Sequence, residues 1–190
     1  MSVMLDVLGS VVIAATLLLM IMTFQMQMRE TVTRLHYTGS MIEHMDEVTT
    51  TLNNTFAMAG IGIPVSDVCT IADTNRIEFK TLWDVAGDSL SSTLHVIHIA
   101  LDDSSSAQGK VLTIKQDGSV IQPLGYIMYI ERIRFNYFDL ADSLTTDSSE
   151  VRSAEVLLTF RRDSPWNPDQ PLRSNIQMKS YFMNSYLQGG

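Results

Sequence analysis

The sequence predicts an α+β fold: a long N-terminal helix, transmembrane in its first half, packed on an antiparallel β-sheet head. Three observations carry that expectation. Residues 7–24 read VLGSVVIAATLLLMIMTF, uncharged, with only Ser10, Thr16 and Thr23 polar; about 20 apolar residues in a helix cross a bilayer core. Apolar residues then recur at Met28, Val32, Leu35, Ile42, Met45, Val48, Leu52, Phe56 and Ala59, mostly three or four apart, which is one face of a helix. Beyond Pro64 the period changes to two, the mark of strands.

The helix is expected over residues 3–58. No Pro precedes Pro64, and Gly is absent between Gly9 and Gly39. At ~1.5 Å per residue it is roughly 80 Å long. It divides into a transmembrane and assembly part (1–27) and an amphipathic continuation (28–60), followed by a β-rich head (61–190). The exit reads MAGIGIP, where Gly60 supplies a left-handed cap and Pro64 ends the helix. Ile77 and Phe79 alternate with Arg76, Glu78 and Lys80, a half-buried strand. Residues 89–93 form a polar break. Leu94, Val96, His98 and Ala100 alternate with His95, Ile97, Ile99 and Leu101, a strand apolar on both faces and therefore central. Residues 102–109 are a Ser-rich loop. Strands 110–115 and 119–122 flank Asp117-Gly118, a hairpin turn. Residues 126–138 form one long strand with Ile133, Phe135 and Tyr137 on one face. A polar loop (141–150), a strand (151–160), a proline-rich surface excursion (161–172) and a last strand (176–187) close the chain. The sheet wraps on the second half of the helix.

Composition narrows the function. The net charge is −8, and all 13 Lys and Arg lie beyond Phe24, scattered rather than clustered. A nucleic-acid surface needs a basic stripe, so none is expected. Cys69 is the sole cysteine, which excludes an internal disulfide. The twelve Met, concentrated in the helix, read as packing filler. No Lys or Arg precedes the apolar run and the helical pattern continues past it, so the segment reads as a retained anchor rather than a cleaved signal. Arg29 and Arg34 follow the span. Taken alone, the positive-inside bias puts the bulk of the chain in the cytoplasm, but Glu30 beside Arg29 makes that bias small.

No catalytic pattern emerges. His95 and His98, three apart on a strand, point to opposite faces and cannot share a metal. His36 and His44 are too far apart on the helix to chelate together. Cys69 has no basic neighbour in sequence and reads as a buried, idle thiol. Glu43, Asp46 and Glu47 form an acidic helix face, either solvated or met by a partner's Lys or Arg. Arg161-Arg162 reads as a strand end. Trp166, in a proline-stiffened loop, is either a lid on the sheet or an exposed contact. No phosphate loop, nucleophile elbow or paired carboxylates are present, and neither cofactor nor small-molecule substrate is expected.

Several stretches resemble a type IV pilin-like protein, more narrowly a minor pilin or minor pseudopilin of the PilW-like and type II secretion J-like kind. The apolar helix carries an acid at its start. The exit Ala57-Met58-Ala59-Gly60-Ile61-Gly62 is similar to that family's AGxG. Residues 133–139, IRFNYFD, and 151–158, VRSAEVLL, resemble two of its strands, and 173–184 its closing strand. The resemblance implies a filament subunit held in the inner (cytoplasmic) membrane by a single span, with other pilin-like subunits as partners through the N-terminal helix. It places the head in the periplasm or outside the cell. Family members carry a basic leader ending in Gly, removed by a prepilin peptidase and usually followed by Phe. Here neither the leader nor that Phe precedes the run. Removal of Met1 would leave Ser2 first and put Asp6 four positions after the free amine, where the family has Glu. The sequence then starts at the processed end or belongs to a leaderless relative.

Physical chemistry supplies its own reasons for these residues. A carboxylate in an apolar medium is costly unless paired, and the Ser2 amine of another copy, or the terminal amine of a related subunit, is an available partner for Asp6. The other reading puts Asp6 in the headgroup layer as a helix N-terminal anion, favourable by ~0.3–1 kcal/mol. Gly9, Ser10, Ala14 and Ala15 are small residues where helices approach closely. The expected function is a non-enzymatic structural subunit of a type IV pilus or type II secretion-like envelope filament. The alternative is a single-pass membrane-anchored β-rich binding protein that does not polymerise. A membrane-tethered enzyme would require a deep pocket with convergent polar groups.

Overall fold

The computed structural model describes residues 2–106, 109–121, 129–163 and 171–188. It contains two compact units, Met1–Glu43 and His44–Gly190. Helix α1 (Ser2–Ala57) is a single uninterrupted element. Its residues up to Glu43 constitute the first unit; its last turns are the helical part of the second.

In the second unit Met45, Val48, Leu52 and Phe56, three or four apart, are the buried row of the helix. Met58 to Ile63 leave it by a sharp exit. Gly60 takes φ 76°, and a Cβ there would stand 2.9 Å from Val68 Cγ2, so both the backbone and the space require glycine. The exit is stitched to the sheet: Gly60 N donates to Lys80 O at 3.0 Å and Leu82 N to Ile61 O at 2.9 Å. A 3₁₀ turn (Val65–Asp67) follows.

The strands make two antiparallel sheets rather than the one expected. The larger runs β1 (Cys69–Asp73), β2 (Arg76–Asp84), β3 (Ser89–Ser106), β4 (Gly109–Gln116), β5 (Ser119–Ile121), with β6 (Tyr129–Ile130) also on β4. The smaller is β7 (Arg132–Phe138), β8 (Ser153–Arg162), β9 (Leu172–Tyr181). The expected strand over 126–138 breaks at Glu131, and 126–128 lie outside the described residues. Ile130 and Ile133 are both buried, three positions apart. A period of two cannot turn both inward, so the chain bends between them and changes sheet. Short β1 carries no alternating pattern by which its sequence would mark it as a strand.

Strand β3 is central, as its sequence implies, but it extends through the expected polar break at 89–93 and into the Ser-rich stretch at 102–106. Those ends pair as ribbon, Asp84 with Ser89 and Ser105 with Lys110, after register shifts. Backbone pairing tolerates Ser and Asp there because most of these side chains are exposed. The Asp117-Gly118 hairpin forms as expected, with φ 52° and 83°, the all-positive geometry of a type I′ turn. Arg161 and Arg162 end β8, in line with their reading as a strand end and against the start of the expected excursion at 161, and Leu172 begins β9; 164–170, with Trp166, lie outside the described residues.

The last strand ends at Tyr181, and Met183–Gln188 form helix α2, against the expected strand to 187. Phe182 turns inward, fully buried, with ring centroids 6.0 Å from Phe56 and 6.2 Å from Phe79. Asn184 Nδ2 donates to Ala57 O and Ala59 O at 3.4 and 3.3 Å, giving the end of α1 hydrogen-bond partners that a helix terminus lacks on its own. The small sheet joins the large one through Tyr137, whose hydroxyl lies 2.8 and 2.9 Å from the carbonyls of Asp73 and Arg76. Phe135 N donates to Thr74 O at 2.8 Å.

Candidate functional site

The first unit is a helix whose described side chains from 7 to 24 are all exposed. It is long and apolar enough to cross a membrane. Its hydroxyls are satisfied internally: Ser10 Oγ donates to Val7 O at 2.8 Å, Thr16 Oγ1 to Val12 O and Thr23 Oγ1 to Leu19 O, each at 2.7 Å. Such back-bonding leaves no polar group of the run calling for water.

Helical geometry sorts the residues singled out from the sequence. Positions 2, 6, 10 and 14 succeed one another at intervals of four and form one row. Gly9 flanks it, with nothing within 4 Å of where a Cβ would stand. Ala15, nine residues from Asp6, falls about 180° away by helical periodicity and does not belong to this surface. Asp6 is exposed and has no hydrogen-bond or ion-pair partner among the described residues. The row is thus a narrow strip with an acid near its start and small residues behind it.

The head holds a second polar cluster that sequence reasoning missed. Gln116, nearly buried, accepts from Val85 N at 2.9 Å through Oε1 and donates to Asp84 Oδ1 at 2.7 Å through Nε2. Next to it His95 Nδ1 lies 2.7 Å from Asp117 Oδ2. A carboxylate only accepts, so Nδ1 carries the proton, and the 3.1 Å approach of Gln116 Nε2 to the same nitrogen is a contact. Asp117 Oδ1 also accepts from Val96 N at 2.9 Å. These bonds hold both carboxyls below their ordinary range, Asp84 chiefly through Gln116 and Asp117 chiefly through His95. The cluster ties the β2–β3 turn to the β4–β5 hairpin. A hollow beside it is lined by Ala86, Gln116, Asp117, Ser119, Val120 and Ile121. The only signal for the cluster in sequence is an amide one residue before Asp-Gly.

The remaining candidates occupy structural positions. Cys69 is buried, and desolvation pushes its thiol up to about 12. His44 meets the Phe160 ring edge-on at 5.9 Å and lies 3.3 Å from Tyr129 O. His36 leans on Tyr37, with centroids 6.3 Å apart. Glu43 and Asp46 are exposed and Glu47 half-buried. Arg161 pairs with Asp163 at 3.0 Å. Among the described residues no group of three His, Cys, Asp or Glu is placed to hold a metal ion.

An apolar helix long enough to cross a membrane, followed by a β-rich head, puts the chain in the α+β class. Comparison with known proteins sharpens that to a fold. No family model and no curated protein matches the chain. Among solved structures a type IV-like pilin from Thermus thermophilus is similar, with a TM-score of 0.55 over 76% of this chain and 98% of that one, at 9% identity. The likeness is one of architecture: the chain has a pilin-like α+β fold, a long N-terminal helix packed on antiparallel sheets.

Proposed function

We propose that this chain is a structural subunit of a type IV pilus or type II secretion-like envelope filament, of the minor pilin or minor pseudopilin kind. The observation that supports it is the exposed, internally satisfied apolar stretch of α1 joined to a pilin-like head. The subunit waits in the inner membrane with its head on the periplasmic side and packs its N-terminal helix against those of other pilin-like subunits. Gly9, Ser10 and Ala14 let helices approach; Ala15, on the opposite side, serves a different neighbour. Once Met1 is removed, Asp6 pairs with the Ser2 amine of an adjacent copy or with the terminal amine of a related subunit, fixing the stagger. The role is architectural rather than enzymatic.

The test is single-Cys crosslinking along residues 5–24 in a Cys69→Ala background, with and without Asp6→Ala. Crosslinks are expected as a helical stripe that includes positions 10 and 14. Asp6→Ala is expected to keep membrane insertion and lose that stripe. Normal crosslinking of Asp6→Ala removes the pairing, and crosslinks at no position favour the anchored, non-polymerising reading.

A further inference from the structure

Basic residues that are scattered along the sequence meet on the small sheet. Ile133, Phe135, Val156, Leu158 and Phe160 are buried on its inner face. Alternation therefore puts Arg132, Arg134, Thr159 and Arg161 on the outer face, with Arg173 and Asn175 of β9 beside them. The register fixes their order: Arg132, Thr159 and Asn175 form one cross-strand row, Arg134 and Leu157 lie in the next, and Arg161 stands directly opposite Arg173. The bonds of Glu155 to Asn136 at 2.7 Å and to Gln177 at 2.6 Å run across this same face. Arg132, Arg134, Arg173 and Asn175 are exposed.

Like charges directly opposite one another on neighbouring strands repel, yet Arg161 and Arg173 are so placed in a chain whose net charge is −8. Each is met by one acid: Arg161 by Asp163 at 3.0 Å, and Arg173 by Glu131 through bonds of 2.8 and 2.9 Å. Glu131 is held below its ordinary range, chiefly by that bond and also by the charges of Arg161 and Arg132. One carboxylate thus answers to three guanidinium groups. Arg132 and Arg134 are left over, and neither has an ion-pair or hydrogen-bond partner among the described residues. Departures from local pairing rules of this kind are expected at functional surfaces.

We propose that the outer face of the small sheet binds an acidic polysaccharide, with Arg132 and Arg134 engaging its carboxylates. A guanidinium presents a planar fork of donors that matches a carboxylate. The two arginines follow one another on β7, roughly 7 Å apart, and the groups beside them are neutral. Thr159 and Asn175 make no side-chain hydrogen bond among the described residues, and they offer donors and acceptors to sugar hydroxyls. Half-buried Leu157 offers an apolar patch to a sugar ring. A single-stranded nucleic acid fits less well, because it needs rings to stack on. The described rings of this face, Phe138 and Tyr181, lie at its other end, with Lys179 Nζ 4.0 and 5.4 Å from their centroids. An extended peptide is read along a sheet edge or in a groove, and this surface is neither. The proposal concerns the head alone, and it stands or falls apart from assembly through α1.

The test is fluorescence anisotropy of end-labelled hexagalacturonate with the full chain in a non-ionic detergent. Binding is expected, and it should weaken as salt rises; labelled maltohexaose, which has no carboxylates, is expected not to bind. Arg132→Gln with Arg134→Gln is expected to weaken binding roughly fivefold or more, as the loss of two exposed charge pairs implies. Asn175→Ala is expected to weaken it roughly threefold at constant charge, the loss of one hydrogen bond. Lys80→Gln with Lys110→Gln removes the same charge from the large sheet and is expected to leave binding unchanged. Arg132 and Arg134 are exposed, so near-ultraviolet circular dichroism of their double variant should match that of the parent, separating loss of binding from loss of fold. No binding of hexagalacturonate, equal binding of maltohexaose, equal loss in the two double variants, or indifference to Arg132→Gln with Arg134→Gln overturns the proposal. So does tighter binding of labelled hexathymidylate or hexaglutamate, which would give the face to a nucleic acid or an acidic peptide.

Discussion

Phe182→Ala is the sharpest test of how the head closes. Phe182 is fully buried and its ring lies 6.0 Å from that of Phe56 and 6.2 Å from that of Phe79. Deleting a buried phenylalanine costs about 3–5 kcal/mol, the transfer of the ring plus the cavity it leaves. For a cooperative unit of this size each kcal/mol shifts Tm by roughly 2–4 °C, so the head should melt roughly 6–20 °C lower. The measurement is thermal unfolding of the full chain in detergent, followed by near-ultraviolet circular dichroism, which reads packed aromatics. Leu187→Ala is the control: at 72% exposure it should cost no more than about 0.5 kcal/mol. If the chain continued as a strand to Leu187, Phe182 would not fold back under the end of α1. A Phe182→Ala shift as small as that of Leu187→Ala therefore refutes both the turn and the three-ring cluster.

Two further outcomes follow from backbone and charge. Gly60→Ala and Gly118→Ala both force a residue into positive φ, 76° and 83°, at a cost of about 1–2 kcal/mol. Only Gly60 adds a 2.9 Å clash with Val68 Cγ2, so its variant should be clearly the less stable in urea denaturation; equal midpoints would contradict the exit geometry. His98 has its pKa lowered from 6.5, first by desolvation, then by Lys115 and Arg76 and against Glu78. A depressed folded pKa means the unfolded state binds the proton first, so stability is fully present above pH ~6.5 and falls as pH drops through the folded value. His98→Asn should flatten the stability profile just below pH 6.5, measured as urea midpoint against pH, and an unchanged slope would show that His98 is not shifted.

What the sequence made legible is what period alone can report. The 3.6-residue rhythm ending at Gly60 and Pro64 located α1 within a residue at each end. Alternation at Ile77 and Phe79, and the Asp-Gly pair at 117 and 118, located β2 and a hairpin. Period failed where it changed phase. Ile130 and Ile133 both point inward, which needs a bend, and that bend is the boundary between two sheets. It also failed where backbone pairing outlived side-chain burial, at the exposed ribbon ends of β3. Phe182 looked like one more residue of an alternating strand, because nothing local announces that its partners are Phe56 and Phe79. Of the candidate assembly surface, residue type offered Gly9, Ser10, Ala14 and Ala15 together, and the geometry of the continuous helix puts positions 2, 6, 10 and 14 on one row and Ala15 off it. The Gln116 cluster was invisible because its bonds join residues 21 to 32 positions apart.

The two units satisfy their polar groups in opposite ways, and this bears on what can specify an assembly. In the head Gln116, Tyr137 and Asn184 reach partners far along the chain. In the apolar run Ser10, Thr16 and Thr23 reach only three or four residues back along their own helix. Apolar helices in lipid gain little from hydrophobicity when they associate, because the tails they leave are as apolar as the neighbour they join. Specificity must then come from close packing or from a polar group that lacks a partner within the helix. With the three hydroxyls already served, Asp6 is the described side chain at the front of α1 that still needs one. Under the proposed assembly, Gly9, Ser10 and Ala14 allow many registers of close approach, and the cost of an unpaired carboxylate selects among them. A helix with Asp6→Leu should therefore still associate, and the positions of its crosslinks should spread along residues 5–24 instead of repeating as one stripe.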